Sequence, residues 1–384
     1  MKDALERAEV LVAGYDDELR SSIPDGAEIL DAHVHCGRDI DGFTAPYEEL
    51  VSFLRRSGTS RAFCFCLDEP DRHPAFRAAN DRTLAVAERS EGLLVPFVRL
   101  DLIEHPVEEA VRCLDRGARG IKLHPRAQGF LLNDERLEPI FALAADRRVP
   151  ILIHGGRGLP PIADHLLRLV DRHQESQLIV AHGGIADLAA LADAFAGHPG
   201  VYFDTSIWSP IDLLDIYCRV SPEQLVYASD YPYGQQPQSL LMDLRIARLA
   251  GFSEEEVRGV LGGNAARIAS GQPSPAPTPP KLAARTLSQP ISLARIHTYL
   301  TMATPLLWTR QPDTIGVVGL ALNAAAERDG FAEVREQISA LLSCARDLWR
   351  TLAELEDEAE TMYVGRSVFR LIHLADIEAV TAHA

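Results

Sequence analysis

His33 and His35 stand one residue apart in the stretch DAHVHCG, just after the apolar run EIL. In an extended strand, side chains at i and i+2 share a face, so both imidazoles project together at a strand end. Two neutral imidazoles so placed can chelate a divalent cation. Basic and metal-capable residues recur where later apolar runs end: Lys122 and His124 in IKLHP, His154 in LIHGG, His182 in VAHGG and Asp230 in ASDYPYG. A lone histidine most often serves packing. Four runs ending in histidine, with another ending in aspartate, point to one shared metal site. Cys36 adjoins the histidine pair as a soft donor, but the reading assigns the metal to imidazole and carboxylate.

Such a site needs elements that bring distant runs together. Apolar runs at 28–35, 61–67, 93–100, 118–124, 149–154, 177–182, 201–206 and 224–230 read as strands. Amphipathic stretches such as YEELVSFLRRSG and IADHLLRLVDRH read as the helices between them. Near-continuous apolar strands alternating with helices indicate a parallel sheet covered by helices. Eight such units in about 250 residues have the number and size of a (β/α)8 barrel, in which the C-terminal strand ends meet around one mouth. An open doubly wound sheet competes, but no GxGxxG follows the first strand, which weakens a dinucleotide-binding version.

The expected architecture is α/β: a (β/α)8 TIM barrel over residues 1–271, a proline-rich linker over 272–281, and an all-helical accessory domain over 282–384. The barrel is expected to stay soluble without the residues beyond the linker. In the last region, Val334, Ile338, Leu341, Ala345, Leu348, Leu352 and Leu355 recur at steps of four and three, the seam of a bundle or coiled coil. Two uses of that seam stay open: the inward face of a helical domain, or a surface for a homodimer or protein partner.

Composition narrows the function classes. The 384-residue chain carries a formal net charge of −17 and lacks Lys/Arg clusters, which argues against nucleic acid and anionic membranes. Six cysteines without a CxxC fit reduced thiols in a cytoplasmic protein. The charged N-terminus lacks a signal-peptide core, and no run approaches the roughly 20 apolar residues of a membrane span.

Taken in order, DAHVH, GIKLHP, LIHGG, VAHGG, SDYPYG and the closing GNAAR resemble the amidohydrolase superfamily of metal-dependent barrels. They look most like its amidohydrolase-related branch, which includes aminocarboxymuconate-semialdehyde decarboxylase-type enzymes and many hydrolases. The resemblance covers roughly residues 28–270 and leaves out the C-terminal helices. It implies His33, His35, His154 and Asp230 as metal ligands, with Asp230 also a general base, and His182 as a catalytic residue or a second-metal ligand. Lys122 matches the lysine that is carbamylated between two metals in dinuclear members; His124 lies beyond it as a further second-site candidate. One divalent metal per chain is expected, Zn²⁺ first, with Mn²⁺ or Fe²⁺ as alternatives.

Arg38, Arg126 and Arg157 each follow a site strand and offer carboxylate-binding forks. Trp208, Tyr231 and Tyr233 follow the seventh and eighth strands and could wall a pocket. The leading function is hydrolysis of a small amide, ester or lactone, with a carboxylate among the substrate classes. The rival is nonoxidative decarboxylation or hydration of an aromatic or dienoic acid; LIHGG departs from the HPW-like end associated with decarboxylases. A non-catalytic scaffold acting through its helices is the third reading.

Overall fold

Among the described residues, nine strands form one sheet: β1 (Ile29–Arg38), β2 (Thr44–Ala45), β3 (Thr59–Cys66), β4 (Leu94–Arg99), β5 (Gly120–Leu123), β6 (Pro150–Ile153), β7 (Gln177–Val180), β8 (Val201–Asp204) and β9 (Leu225–Val226). The computed structural model describes residues 2–272, 275–281, 289–309, 311, 313–327, 331–352 and 354–382. From β1 through β3 to β9 each strand runs parallel to the next, and β2 is a short antiparallel addition to the end of β1. Past β9 the chain lies along β1. Ala32 N donates to Tyr227 O at 2.8 Å, Asp230 N to His33 O at 2.9 Å and His35 N to Tyr231 O at 2.8 Å. These bonds close the sheet, and the fold is the TIM barrel that the alternation of runs predicts.

The strands form because their residues can be buried on both faces. Inside the barrel, Leu30, Phe63, Phe65, Phe97, Leu152 and Ile179 pack in one cluster with Ala265 and Ile268 of the closing helix Asn264–Ala269. Outward-facing residues such as Ile151, Leu178 and Phe203 join a larger cluster with the surrounding helices. That division fixes which strand positions face the axis, and so which side chains can reach the mouth.

Helices Ile291–Trp308, Thr314–Ala325, Ala332–Leu352 and Glu358–Thr381 make up the C-terminal region. The seam of Ala332–Leu352 faces inward: Ile338, Leu341, Ala345 and Leu348 are buried in the same cluster as Ala4, Ala8 and Val12 of the N-terminal helix Lys2–Ser22. That cluster continues into the barrel helices through Leu213, Leu241 and Met242. Arg245, on a barrel helix, pairs with Glu18 at 2.6 Å and Glu378 at 2.9 Å, tying the barrel to both chain ends. The helices are therefore continuous with the barrel's outer core. Part of the linker, 273–274, and residues 282–288 fall outside the described residues; Thr278 Oγ1 is anchored to Glu223 at 2.9 Å.

Candidate active site and metal centre

The floor of the mouth is built by β1. His33 and His35 lie on it, both buried, with their rings against Phe65 of β3. His33 Nε2 and His35 Nε2 are 3.2 Å apart, and Asp230 Oδ1 lies 3.2 Å from the first and 3.1 Å from the second. These three atoms form a nearly equilateral triangle. Ligands bound at about 2.0–2.1 Å around one cation stand about 3.0–3.4 Å apart, so the triangle fits one face of a divalent metal's coordination shell. Burial holds His33 and His35 well below the ordinary imidazole pKa, with Lys122 adding to the shift. Both are therefore neutral, the form that ligates.

Backbone geometry aims two of the site's side chains. Asp230 follows β9 with φ +58°, and His182 follows β7 with φ +57°. Left-handed conformations cost a non-glycine residue on the order of 1–3 kcal/mol and concentrate where function needs a side chain turned. The glycines of both HGG motifs make room. A Cβ on Gly156 would lie 2.6 Å from His154 Nε2, and one on Gly183 would lie 2.6 Å from Ile207 Cδ1.

A second layer of imidazoles adjoins the triangle. His182 Nε2 meets His154 Nδ1 at 3.0 Å, and the His154 ring stacks on His124 at 3.9 Å. His154 Nε2 is buried with no hydrogen-bond partner, but His154, expected as a ligand, is not gathered with the triangle: among the described residues only His33, His35 and Asp230 bring ligand atoms within 4.8 Å of one another there, and His154 Nδ1 is turned to His182 instead. His154 and His124 are likewise held well below the ordinary pKa by burial. Lys122 Nζ sits 3.4 Å from His33 Nε2, over the Phe65 ring. Burial lowers its pKa to about 7 against the opposing pull of Asp204 and Asp230. Burial also raises Asp230 to about 6.

Asp204, which the sequence reading passed over, organises this floor. It ends β8 fully buried; its Oδ2 accepts from His33 Nδ1 at 2.8 Å, and its Oδ1 accepts from His182 N at 2.7 Å and Ser206 Oγ at 2.5 Å. A carboxylate that takes Nδ1–H fixes the tautomer whose Nε2 lone pair is free for a metal. Asp31 is a second such strut: it accepts from Ser229 N at 3.0 Å and Gln236 Nε2 at 2.7 Å and locks β1 to the Asp230 loop. A lone aspartate closing an apolar run, as in VYFD, was the available signal.

Above the floor lies a cavity of about 680 Å³. Arg126, Arg157, Trp208 and Tyr233 line it, as does Arg99, another residue the sequence reading passed over. Arg38 and Tyr231 do not line it: Arg38 is exposed at the end of β1, and Tyr231 is buried with Val34, stacked on Phe53 at 4.5 Å. Arg157 is paired with Asp212 at 2.5 Å.

The C-terminal helices complete the cavity. Thr301, Thr304 and Pro305 of Ile291–Trp308, and Asp376 of Glu358–Thr381, form part of its wall. The last helix also holds the loops of the mouth. His373 Nε2 donates to Trp208 O at 3.0 Å, and the Arg366 guanidinium lies 5.6 Å over the Tyr231 ring. His297 Nδ1 pairs with Asp376 Oδ1 at 2.7 Å behind this wall.

A family model described as "Amidohydrolase" matches residues 31–268, more than half of the chain. The chain belongs to the amidohydrolase family. It is thereby an enzyme of that superfamily, and the match stops short of the C-terminal helices. No curated protein matches it. Among solved structures, a putative amidohydrolase from Staphylococcus aureus is similar at 16% identity and a TM-score of 0.51, covering 63% of this chain and 99% of its own. An uncharacterised TIM-barrel protein from Bordetella bronchiseptica matches at 16% identity and a TM-score of 0.50, covering 64% and 99%. An amidohydrolase from Burkholderia multivorans with bound HEPES gives the same four values. These likenesses concern the barrel. No helix among the described residues is long and apolar enough to cross a membrane.

Proposed function

We propose that this amidohydrolase is a metal-dependent hydrolase of a small molecule, opening an amide, ester or lactone. The observation that carries the reading is the triangle of His33 Nε2, His35 Nε2 and Asp230 Oδ1, with edges of 3.1–3.2 Å, at the floor of the cavity. Those three residues would hold one divalent cation, Zn²⁺ by donor chemistry, with Mn²⁺ or Fe²⁺ as substitutes. When bound, such a cation supplies Lewis acidity and makes water a nucleophile near neutral pH.

The chain's own groups do the rest. Asp230, at the edge of the triangle and open to the cavity, takes a proton from the attacking water and returns it to the leaving group. His182 is oriented by Ser206, whose Oγ lies 2.9 Å from Nδ1, and aligns the scissile carbonyl oxygen. The cavity of about 680 Å³, walled by the C-terminal helices, limits the substrate to a small molecule.

The test is metal content by mass spectrometry on chelator-free protein, beside His33→Ala and Asp230→Asn, followed by an ester, lactone, amide and aromatic-acid panel. About one equivalent, lost in both variants together with hydrolysis, supports the reading. About two equivalents would make Lys122 a bridging carbamate and the site dinuclear. Release of CO₂ from the acids, with no hydrolysis of the other classes, would replace hydrolysis by decarboxylation.

A further inference from the structure

Arg99 is the last residue of β4, 2% exposed, in a strand that is otherwise apolar after Pro96. Sheet register sets it beside Lys122 of β5, so two cationic side chains leave adjacent strands on the same face of the barrel. It lines the same cavity as His35, Lys122 and His124.

A guanidinium carries five N–H donors and accepts nothing, and a buried one is expected to be well bonded. Arg99 is not. Nη1 donates to Cys66 O at a long 3.3 Å. Nη2 lies 3.7 Å from Asp68 Oδ1, beyond hydrogen-bond reach, and Nε has no partner. One face is covered by the Phe76 ring at 4.9 Å. Asp68 Oδ1 likewise has no hydrogen-bond partner. A built cation on a cavity wall with most of its donors unused is suited to a planar anion arriving from the cavity.

We infer that Arg99 is the carboxylate-binding group of this active site, engaging a small organic acid through two parallel N–H···O bonds. The inference rests on the reading of this cavity as the active site. It narrows the substrate class to esters, amides or lactones that also carry a free carboxylate. Asp39 and Asp68 line the same cavity, so a monoanionic carboxylate suits the wall better than a dianionic phosphate. Arg126 and Arg157 stand further out, and Arg157 is already engaged by Asp212.

The experiment is calorimetric titration of the full chain with benzoate, phthalate and inorganic phosphate, each in metal-loaded and chelator-treated protein. Wild type binds the two carboxylates more tightly than phosphate. Arg99→Met weakens that binding by about tenfold or more in both metal states, the size of one lost charge-assisted pair. Arg99→Lys keeps part of it, because a point charge replaces the fork. Asp68→Asn tightens it about threefold or more, because the competing carboxylate is neutralised. This last variant also keeps the test decisive if Arg99→Met does not fold. If no acid binds wild type, or phosphate binds more tightly, or the Arg99 and Asp68 variants match wild type, the inference fails. Binding that disappears with chelator but not with Arg99→Met would place the acid on the metal and make Arg99 a strut for Asp68. Arg99-dependent binding in a protein that takes up no metal would uphold the inference while sinking the metal reading.

Discussion

Asp204→Asn is the perturbation that most directly tests how this site is assembled. Asp204 Oδ2 takes the Nδ1–H of His33 at 2.8 Å, while Oδ1 takes the backbone N–H of His182 at 2.7 Å. An asparagine has one acceptor oxygen in place of two. If it stays on the His182 N–H, its NH₂ group faces His33 Nδ1 and drives the imidazole to the tautomer with Nε2 protonated. That proton points into the triangle where the cation would sit. If the amide flips, His33 keeps its partner but the His182 turn and Ser206 lose theirs. Removing such a partner of a metal-ligating histidine typically weakens metal binding about 10- to 100-fold, or about 1.4–2.8 kcal/mol. The assay is competition for Zn²⁺ against a chromophoric chelator, with circular dichroism to confirm the fold. Metal affinity within about twofold of wild type would refute the claim that Asp204 sets the His33 tautomer.

Further tests address the roof and the core. Thr304→Trp fills part of the cavity from above and lowers kcat/KM by about tenfold or more, mainly through KM, for whichever substrate is found. Thr298→Trp, exposed on the same helix, leaves kinetics at wild-type values; equal effects of the two would deny the roof its role. Burial pushes His297 down more than any single partner lifts it, but the hydrogen bond and charge of Asp376 and the charge of Asp212 together outweigh it, so its net pKa is raised; burial raises Asp376 as well. The contribution of His297 is therefore complete below the unfolded histidine pKa of about 6.5 and is lost as pH rises through the higher folded value. Urea unfolding of wild type and His297→Gln should show a stability gap that narrows as pH rises above about 6.5, the unfolded histidine value; a constant gap would contradict this. Leu341→Ala, at a position 1% exposed, costs about 2–5 kcal/mol in the same assay. Truncation after Lys281 uncovers Ala4, Ala8 and Val12 and yields insoluble protein; a soluble, folded barrel would show that the shared cluster is dispensable.

What the sequence determined by itself was the barrel and the strand ends at which polar residues gather. Parallel strands buried on both faces read as apolar runs, so a polar residue ending such a run is conspicuous, and His33, His35, His154, His182 and Asp230 were found that way. Arg99 and Asp204 carried the same signal but more faintly, since a single charged residue at a strand end is equally consistent with an ordinary loop. Tertiary structure decided the rest. Whether Arg38 or Arg99 faces the cavity depends on barrel closure, which leaves Arg38 exposed at the end of β1 and directs Arg99 inward beside Lys122. The periodic seam of Ala332–Leu352 announced a buried helix face but not what would bury it. Only packing showed that the N-terminal helix and the barrel's outer helices share that face. The same packing carries Thr304 and Asp376 over the mouth, although each lies more than 70 residues beyond Asp230 in the chain. Periodicity reports that a face must leave water; the partner it meets is set by long-range geometry that no local pattern encodes.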